Sequence, residues 1–447
     1  MIRARQPASI LIKGGRLIDP TSNVAGDFDV LLRDGRVAEI APRNKVHGSA
    51  DEKFDARGLI VAPGFVDLHA HLREPGQSHK ETIATATAAA AAGGFTSVCA
   101  MPNTSPVNDS PEITAWMQEP ARNAVVNVFP VAAATVGSQG ESLNDYRALS
   151  RAGAVAVTDD GRPILHEEVM RQALAAAAQA GLPVVQHAED TSLTAGCSMH
   201  EGATSFRLGL RGMTAESEAA IVERDARLAH LAGAHLHVAH VSTAAALKAI
   251  RRGRRSPTPA ARPQAGAPGG RGRITCEVTP HHFTLVDEGV GEYDTRFKMN
   301  PPLRSAADRE ALLVALGDGT IDAIATDHAP HAAYEKAVEF ELAPFGVIGL
   351  ETALALAITR LHRERRLPLA RIVELLSANP ARIMKLKGRG TLARGSVADV
   401  TIFDPARRWT YDVSKSLSKS RNSPFDGWQL WGKVVATIVG GKVVFQA

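Results

Sequence analysis

Two histidines one residue apart give this 447-residue chain its first hint of chemistry. In Asp67-Leu68-His69-Ala70-His71 they lie on one face if the segment is a strand, so both imidazoles can converge on one cation. An isolated pair of this kind also arises by chance, and the metal reading gains force only from partners. Four more polar residues supply them: Asp160 in TDDG, His187 in VVQHAED, His240 in HVAHVST and Asp327 in ATDHAPH, each after an apolar run. Any one alone reads as a polar group capping a strand. Six carboxylates and imidazoles at five strand ends are hard to explain that way. Nitrogen and oxygen ligands without thiolate suit zinc, manganese, cobalt or nickel, and hydrolytic use favours zinc. Six ligands exceed the need of one catalytic zinc with an open position, so two ions sharing a carboxylate are expected.

The elements that must position these groups are legible as apolar runs alternating with Ala-rich helical stretches between about 63 and 385. The runs are GFVDLHAHL, FTSVCAMPN, VVNVFPVAAAT, AVAVTDD, PVVQHAED, HLHVAHVST, ITCEVTPHHF and DAIATDHAPH, with helices expected at 80–93, 166–180 and 214–233. Eight strands over this length predict an α/β fold, a (β/α)8 TIM-type barrel with chemistry at the C-terminal strand ends. A doubly wound open sheet is the rival, but no Gly-rich phosphate turn follows the first strand. Both chain ends differ from this middle. SILIKGGRLI, DVLLRDGRVAEI and GLIVAP near the start, and VADVTIFDP and KVVATIVGGKVVF near the end, read as short strands with Gly-Gly and Asp-Gly turns. We therefore expect a small β-sandwich-like domain assembled from 1–62 and 388–447 around a barrel spanning 63–387.

Composition narrows the class. An apolar share of 45% with 22% charged residues is that of a globular protein rather than a disordered one. The net charge is +4, yet the stretch 251–273 holds seven arginines and no acid, leaving −3 for the rest. A nucleic-acid binder would spread its basic residues over a folded face, so no nucleic-acid partner is expected. That stretch also holds four prolines and five glycines, and reads as a mobile surface insertion. Three cysteines without a CxxC pair argue against a disulfide framework. The short apolar run Ile10-Leu11-Ile12 is no signal peptide or membrane span, so a cytoplasmic location is expected, with no membrane partner.

The combination of DLHAHLREPG, MPNT, TDDG, QHAED with MHEG, HVAHVST, EVTPHH, MNPPLR, TDHAPH with a following EK, and APFGVIGLE closely resembles the type I bacterial dihydroorotases of the amidohydrolase superfamily. The resemblance covers nearly the whole chain outside 251–273. It implies that His69 and His71 hold one zinc, His187 and His240 a second, that Asp160 rather than Asp159 bridges the two, and that Asp327 is both ligand and general acid/base. Dihydroorotate is a cyclic imide-like ring bearing a carboxylate, and Arg73, two residues past His71, can offer that carboxylate a planar fork of donors. The alternative for Arg73 is a surface ion pair. Similarity to the family adds Asn103, Asn300 and His331 around the carboxylate and ring, with backbone groups of Phe345 and Gly346 on the ring amides. His281 and His282 are expected to support the site rather than ligate. No lysine lies between Lys80 and Lys248, so a carboxylated lysine from strand four cannot serve as the bridge.

The implied reaction is reversible zinc-dependent hydrolysis of dihydroorotate to N-carbamoyl-aspartate, with ring closure as the direction of pyrimidine synthesis. Within the same class, a dihydropyrimidinase, hydantoinase or allantoinase would use the same barrel, but Arg73 and Asn103 favour an acidic ring. From a different class, a noncatalytic scaffold for aspartate transcarbamoylase would be expected to have lost ligands, whereas every matched position is filled. Association of an active enzyme with that transcarbamoylase stays open, and a homo-oligomer is expected.

Overall fold

Asp34-Gly35 and Gly440-Gly441 all take positive φ (51°, 71°, 53° and 79°), the backbone of a two-residue hairpin whose twist matches its strands. The first pair joins Val24–Arg33 to Arg36–Pro42 and the second joins Gln429–Val439 to Lys442–Gln446. Both hairpins belong to one nine-stranded sheet. Within it Ile60–Pro63 lies between Arg16–Asp19, parallel, and Val400–Thr410, antiparallel, so the two ends of the chain meet on one strand. Ile10, Ile12, Leu17, Val30, Val61, Ile402 and Ile438 form its apolar core. The computed structural model describes residues 8–255 and 272–447.

Between these ends run eight parallel strands in sequential order: Phe65–Ala70, Phe95–Ala100, Asn127–Ala133, Ala156–Thr158, Val184–Gln186, His235–Val238, Arg273–Val278 and Ala323–Ile324. The last closes on the first beyond its own end, through a parallel bridge between His328 and Ala70 and a 2.9 Å bond from His71 N to His328 O. The architecture is a TIM-type barrel with a mostly β domain made from both chain ends. The expected helices form at Ile83–Ala92, Glu167–Ala180 and Glu216–Ala232. Thr82 closes a capping box with Thr85 at the start of the first, and Gly181 and Gly233 end the other two in the left-handed conformation that glycine adopts at no steric cost.

Two apolar layers hold the strands. Outside, Phe65 packs edge-on against Phe95 (6.0 Å between centroids) and in a tilted arrangement against Phe403 of the terminal domain (6.1 Å). Inside, Val66, Leu68, Met101, Val131, Val185 and Ala325 pack on Ile383 and Met384, so the floor of the barrel is solid and open space is left to the other end.

The basic segment 251–273 departs from expectation at both of its edges. Arg251–Arg255 complete a helix, Ala244–Arg255, and Arg273 opens the seventh strand. Acids and carbonyls on neighbouring elements explain why: Arg251 pairs with Asp318 at 2.8 Å and Arg252 with Glu223 at 3.0 Å. Arg254 binds Asp322 and donates to the carbonyls of Thr320 (2.7 Å) and Ile274 (3.1 Å). These partners lie far away in sequence, so composition alone could not reveal them. Residues 256–271 of the expected insertion lie outside the described residues.

Candidate active site

The six predicted ligands meet at the C-terminal ends of the strands, centred on Asp160. Its Oδ1 is 3.4 Å from His69 Nε2 and 3.7 Å from both His187 Nδ1 and His240 Nε2, while Oδ2 is 3.6 Å from His71 Nε2. His69, His71 and Asp160 form one group able to hold a metal ion, and Asp160, His187 and His240 a second. Asp327 Oδ1 faces the first group, 3.1 Å from His71 Nε2 and 3.6 Å from His69 Nε2. The neighbouring Asp159 is turned away and accepts bonds from Thr135 N (3.0 Å) and Thr135 Oγ1.

The rear nitrogens decide which way the lone pairs point. His69 Nδ1 faces Glu277 Oε1 at 3.1 Å, His71 Nδ1 faces Asn103 Oδ1 at 2.7 Å, and His187 Nε2 faces Glu189 Oε2 at 2.8 Å. An acceptor on one ring nitrogen fixes the proton there and frees the other nitrogen, which in all three rings is the one turned toward Asp160. Among the described residues His69 Nε2 and Asp160 Oδ1 are buried without a hydrogen-bond partner. His187 Nδ1 and His240 Nε2 are 2.9 Å apart. With His187 protonated on Nε2, its Nδ1 lone pair accepts from a His240 Nε2–H, or, with the His240 proton on Nδ1, which has no partner among the described residues, both rings turn lone pairs toward one cation. The donor set therefore fits metal ions.

The charges at this centre are tightly coupled. Burial opposes charge on both Asp160 and His69, yet each overcomes it through the other: His69, His187 and His240 hold the Asp160 carboxyl well below the usual range, and Asp160, Glu277 and Asp327 hold His69 well above. Asp327 stays ionised despite burial because His71, His69 and His240 surround it. Three non-glycine residues here have positive φ: Arg73 at 63°, His240 at 32° and Asp327 at 45°. Such conformations cost on the order of 1–3 kcal/mol each and persist where the surroundings over-determine them, as at functional sites.

A cavity of about 330 Å³ opens above this centre. Its wall includes five of the six ligands, His69 being the exception, and all six residues assigned to the substrate: Arg73, Asn103, Asn300, His331, Phe345 and Gly346. Arg73 is 8% exposed, donates from Nε to Pro330 O (3.1 Å) and places an Nη 3.3 Å from His331 Nε2. No carboxylate of the described residues lies within ion-pair distance of it, and burial lowers its pKa to about 10. Asn103 Nδ2 reaches Asp160 Oδ2 at 3.4 Å, and Asn300 Nδ2 donates at 2.8 Å to Glu189, the carboxylate behind His187, so Asn103 supports a candidate ligand directly and Asn300 through Glu189. His282 is consumed by Thr279 Oγ1 and Pro301 O, and neither it nor His281 belongs to a ligand group.

Sequence reasoning missed Glu277 and Glu189 as anchors. Glu277 also accepts from His237 Nε2 at 3.0 Å, and a carboxylate inside the apolar run ITCEVT was the available signal. Glu189, two residues past His187, was open to the same alternation argument as His69 and His71.

Residues 58–246 match the family model described as dihydro-orotase-like. A dihydroorotase of Solibacter usitatus is 52% identical over 433 residues, 97% of each chain, and one of Anaeromyxobacter dehalogenans (strain 2CP-1) is 50% identical over 98% of each. Among solved structures, an L-hydantoinase (dihydropyrimidinase) from Arthrobacter aurescens superposes with a TM-score of 0.84 at 25% identity, covering 98% of this chain and 96% of that one. A dihydropyrimidinase from Brevibacillus agri shares the fold, with a TM-score of 0.80 at 22% identity over 98% and 95%. On identity of this extent over nearly its full length, the chain belongs to the dihydroorotases, enzymes that hydrolyse a cyclic amide.

Proposed function

We propose that the cavity binds dihydroorotate with its carboxylate on Arg73 and its scissile amide over Asp160, as part of pyrimidine synthesis, where ring closure of N-carbamoyl-aspartate is the working direction. The unpaired, buried guanidinium of Arg73 carries this reading: a cavity holding such a charge favours a ligand that brings its own anion. Hydantoin and dihydrouracil, the neutral rings of the structural neighbours' chemistry, would leave it unmatched.

In this reading His69 and His71 would hold one divalent cation and His187 and His240 another, with the Asp160 carboxylate available to both, and two zinc ions per subunit would best suit the donor set. When bound, such ions lower the pKa of water and polarise the carbonyl under attack. Asp327, ionised and facing the cavity, takes the proton from the attacking water and delivers it to the ring nitrogen as the amide C–N bond breaks. Arg73, Asn300, His331 and the Phe345–Gly346 backbone orient the ring, and Asn103 holds His71. Residues 63–387 are the catalytic unit.

No helix among the described residues is long and apolar enough to cross a membrane. We place the enzyme in the cytoplasm as a homo-oligomer, with aspartate transcarbamoylase as the candidate partner. Turnover of dihydroorotate, dihydrouracil, hydantoin and allantoin by protein purified without chelator, with metals counted in the same sample, tests the reading. Preference for a neutral ring, or activity without metal, would overturn it.

A further inference from the structure

Lys336 and Lys298 are 7% and 2% exposed, and neither ammonium has a carboxylate within ion-pair distance among the described residues. Their donors go to backbone carbonyls instead. Lys336 Nζ reaches Pro344 O at 2.8 Å, Lys298 O at 3.2 Å and Gly346 O at 3.3 Å. Lys298 Nζ takes Phe340 O at 2.7 Å and Glu341 O at 2.9 Å and lies 4.6 Å from the centroid of the Phe345 ring. Five carbonyls are thus held by two buried amino groups, four of them from the single stretch Phe340–Gly346, whose last three residues line the cavity.

That stretch has no helix or strand of its own to fix its shape. Gly346 has φ of 147°, and a Cβ there would sit 2.6 Å from Ala329 O, so the backbone is pressed against the loop that follows the eighth strand. Its amide donates to Lys298 O at 2.9 Å, and its carbonyl also accepts from Asn422 Nδ2 at 3.0 Å. Phe345 O accepts from His331 Nε2 at 2.8 Å. Of the backbone groups at Phe345 and Gly346, only the Phe345 N–H lacks a partner among the described residues.

We propose that Lys336, seconded by Lys298, is a positioning residue that sets the Phe345–Gly346 backbone for the substrate ring, leaving the Phe345 N–H as the donor presented to a ring carbonyl. The proposal rests on the assignment of this backbone to the ring amides. A buried ammonium suits the task because it bonds three carbonyls from one point, which a neutral side chain cannot do. Its loss would release Pro344 and Gly346 while leaving the metal ligands untouched.

The test compares Lys336→Met and Lys336→Gln with the wild type in metal-loaded enzyme, by dihydroorotate kinetics, metal content and Tm. The expected result is a KM for dihydroorotate raised about 10- to 100-fold by methionine and less by glutamine, with kcat changed less than about threefold and metal content unchanged. If the methionine variant fails to fold, the glutamine variant decides. Wild-type KM in a folded variant overturns the positioning role, as does a lower Tm with unaltered kinetics. A wild-type enzyme inactive on dihydroorotate would instead remove the substrate assignment, and this role with it.

Discussion

Glu277 Oε1 lies 3.1 Å from His69 Nδ1, and this contact from the seventh strand turns the nitrogen of a residue on the first strand toward Asp160. The same carboxylate binds His237, and together the two imidazoles pull its pKa down to about 2 against the effect of burial. Glu277→Gln keeps the shape but weakens the acceptor. Zinc affinity should fall about 10- to 100-fold with the fold retained. Competition with a chromogenic chelator measures it, and wild-type affinity would show that His69 is oriented by packing alone.

Asp160 and Asp159 are adjacent and should respond oppositely. Asp160→Ala should lose at least one metal and most activity, because two cations without their shared anion repel each other. Asp159→Ala, which removes an acceptor from Thr135, should lower Tm while keeping both metals. With no lysine between Lys80 and Lys248, apo-enzyme should also recover full activity on zinc alone in CO2-free buffer. A bicarbonate requirement, or a binuclear and active Asp160→Ala enzyme, would refute the bridge.

Asp327→Asn should retain much of the metal and the fold, since the amide is nearly isosteric, yet lose about 10²- to 10⁴-fold in kcat with the proton carrier removed. Turnover above half of wild type in a fully loaded mutant would rule out the role.

Arg73→Met should impair dihydroorotate far more than a ring analogue without the carboxylate. The ratio of the two kcat/KM values is the measurement. An equal fall for both would make Arg73 structural and weaken the substrate assignment.

The barrel and the clustering of the candidate ligands were legible because each of these residues ends an apolar run, a pattern local in sequence. What escaped is what tertiary contact alone creates. Glu277 finds His69 across 208 residues and Asn422 finds Ala329 across 93, and no spacing rule links either pair. The lysines behind Phe345 were hidden for a related reason: a charged residue in a loop reads as solvated until its carbonyl partners are known. Arginine density misled at 251–255 by the same logic, since the acids that anchor those residues sit on other helices and loops.

The terminal sheet has a consequence for the order in which the chain is made. Phe65 N donates to Thr401 Oγ1 across 336 residues, and the strand Ile60–Pro63 just before it must await Val400–Thr410 as its neighbour. Ribosomes add roughly 5–20 residues per second, so that strand leaves the exit tunnel tens of seconds ahead of its partner. For that interval the nascent protein carries an apolar edge with its pairing groups open, and a holdase bound there would guard it against sticking to another chain on the same message.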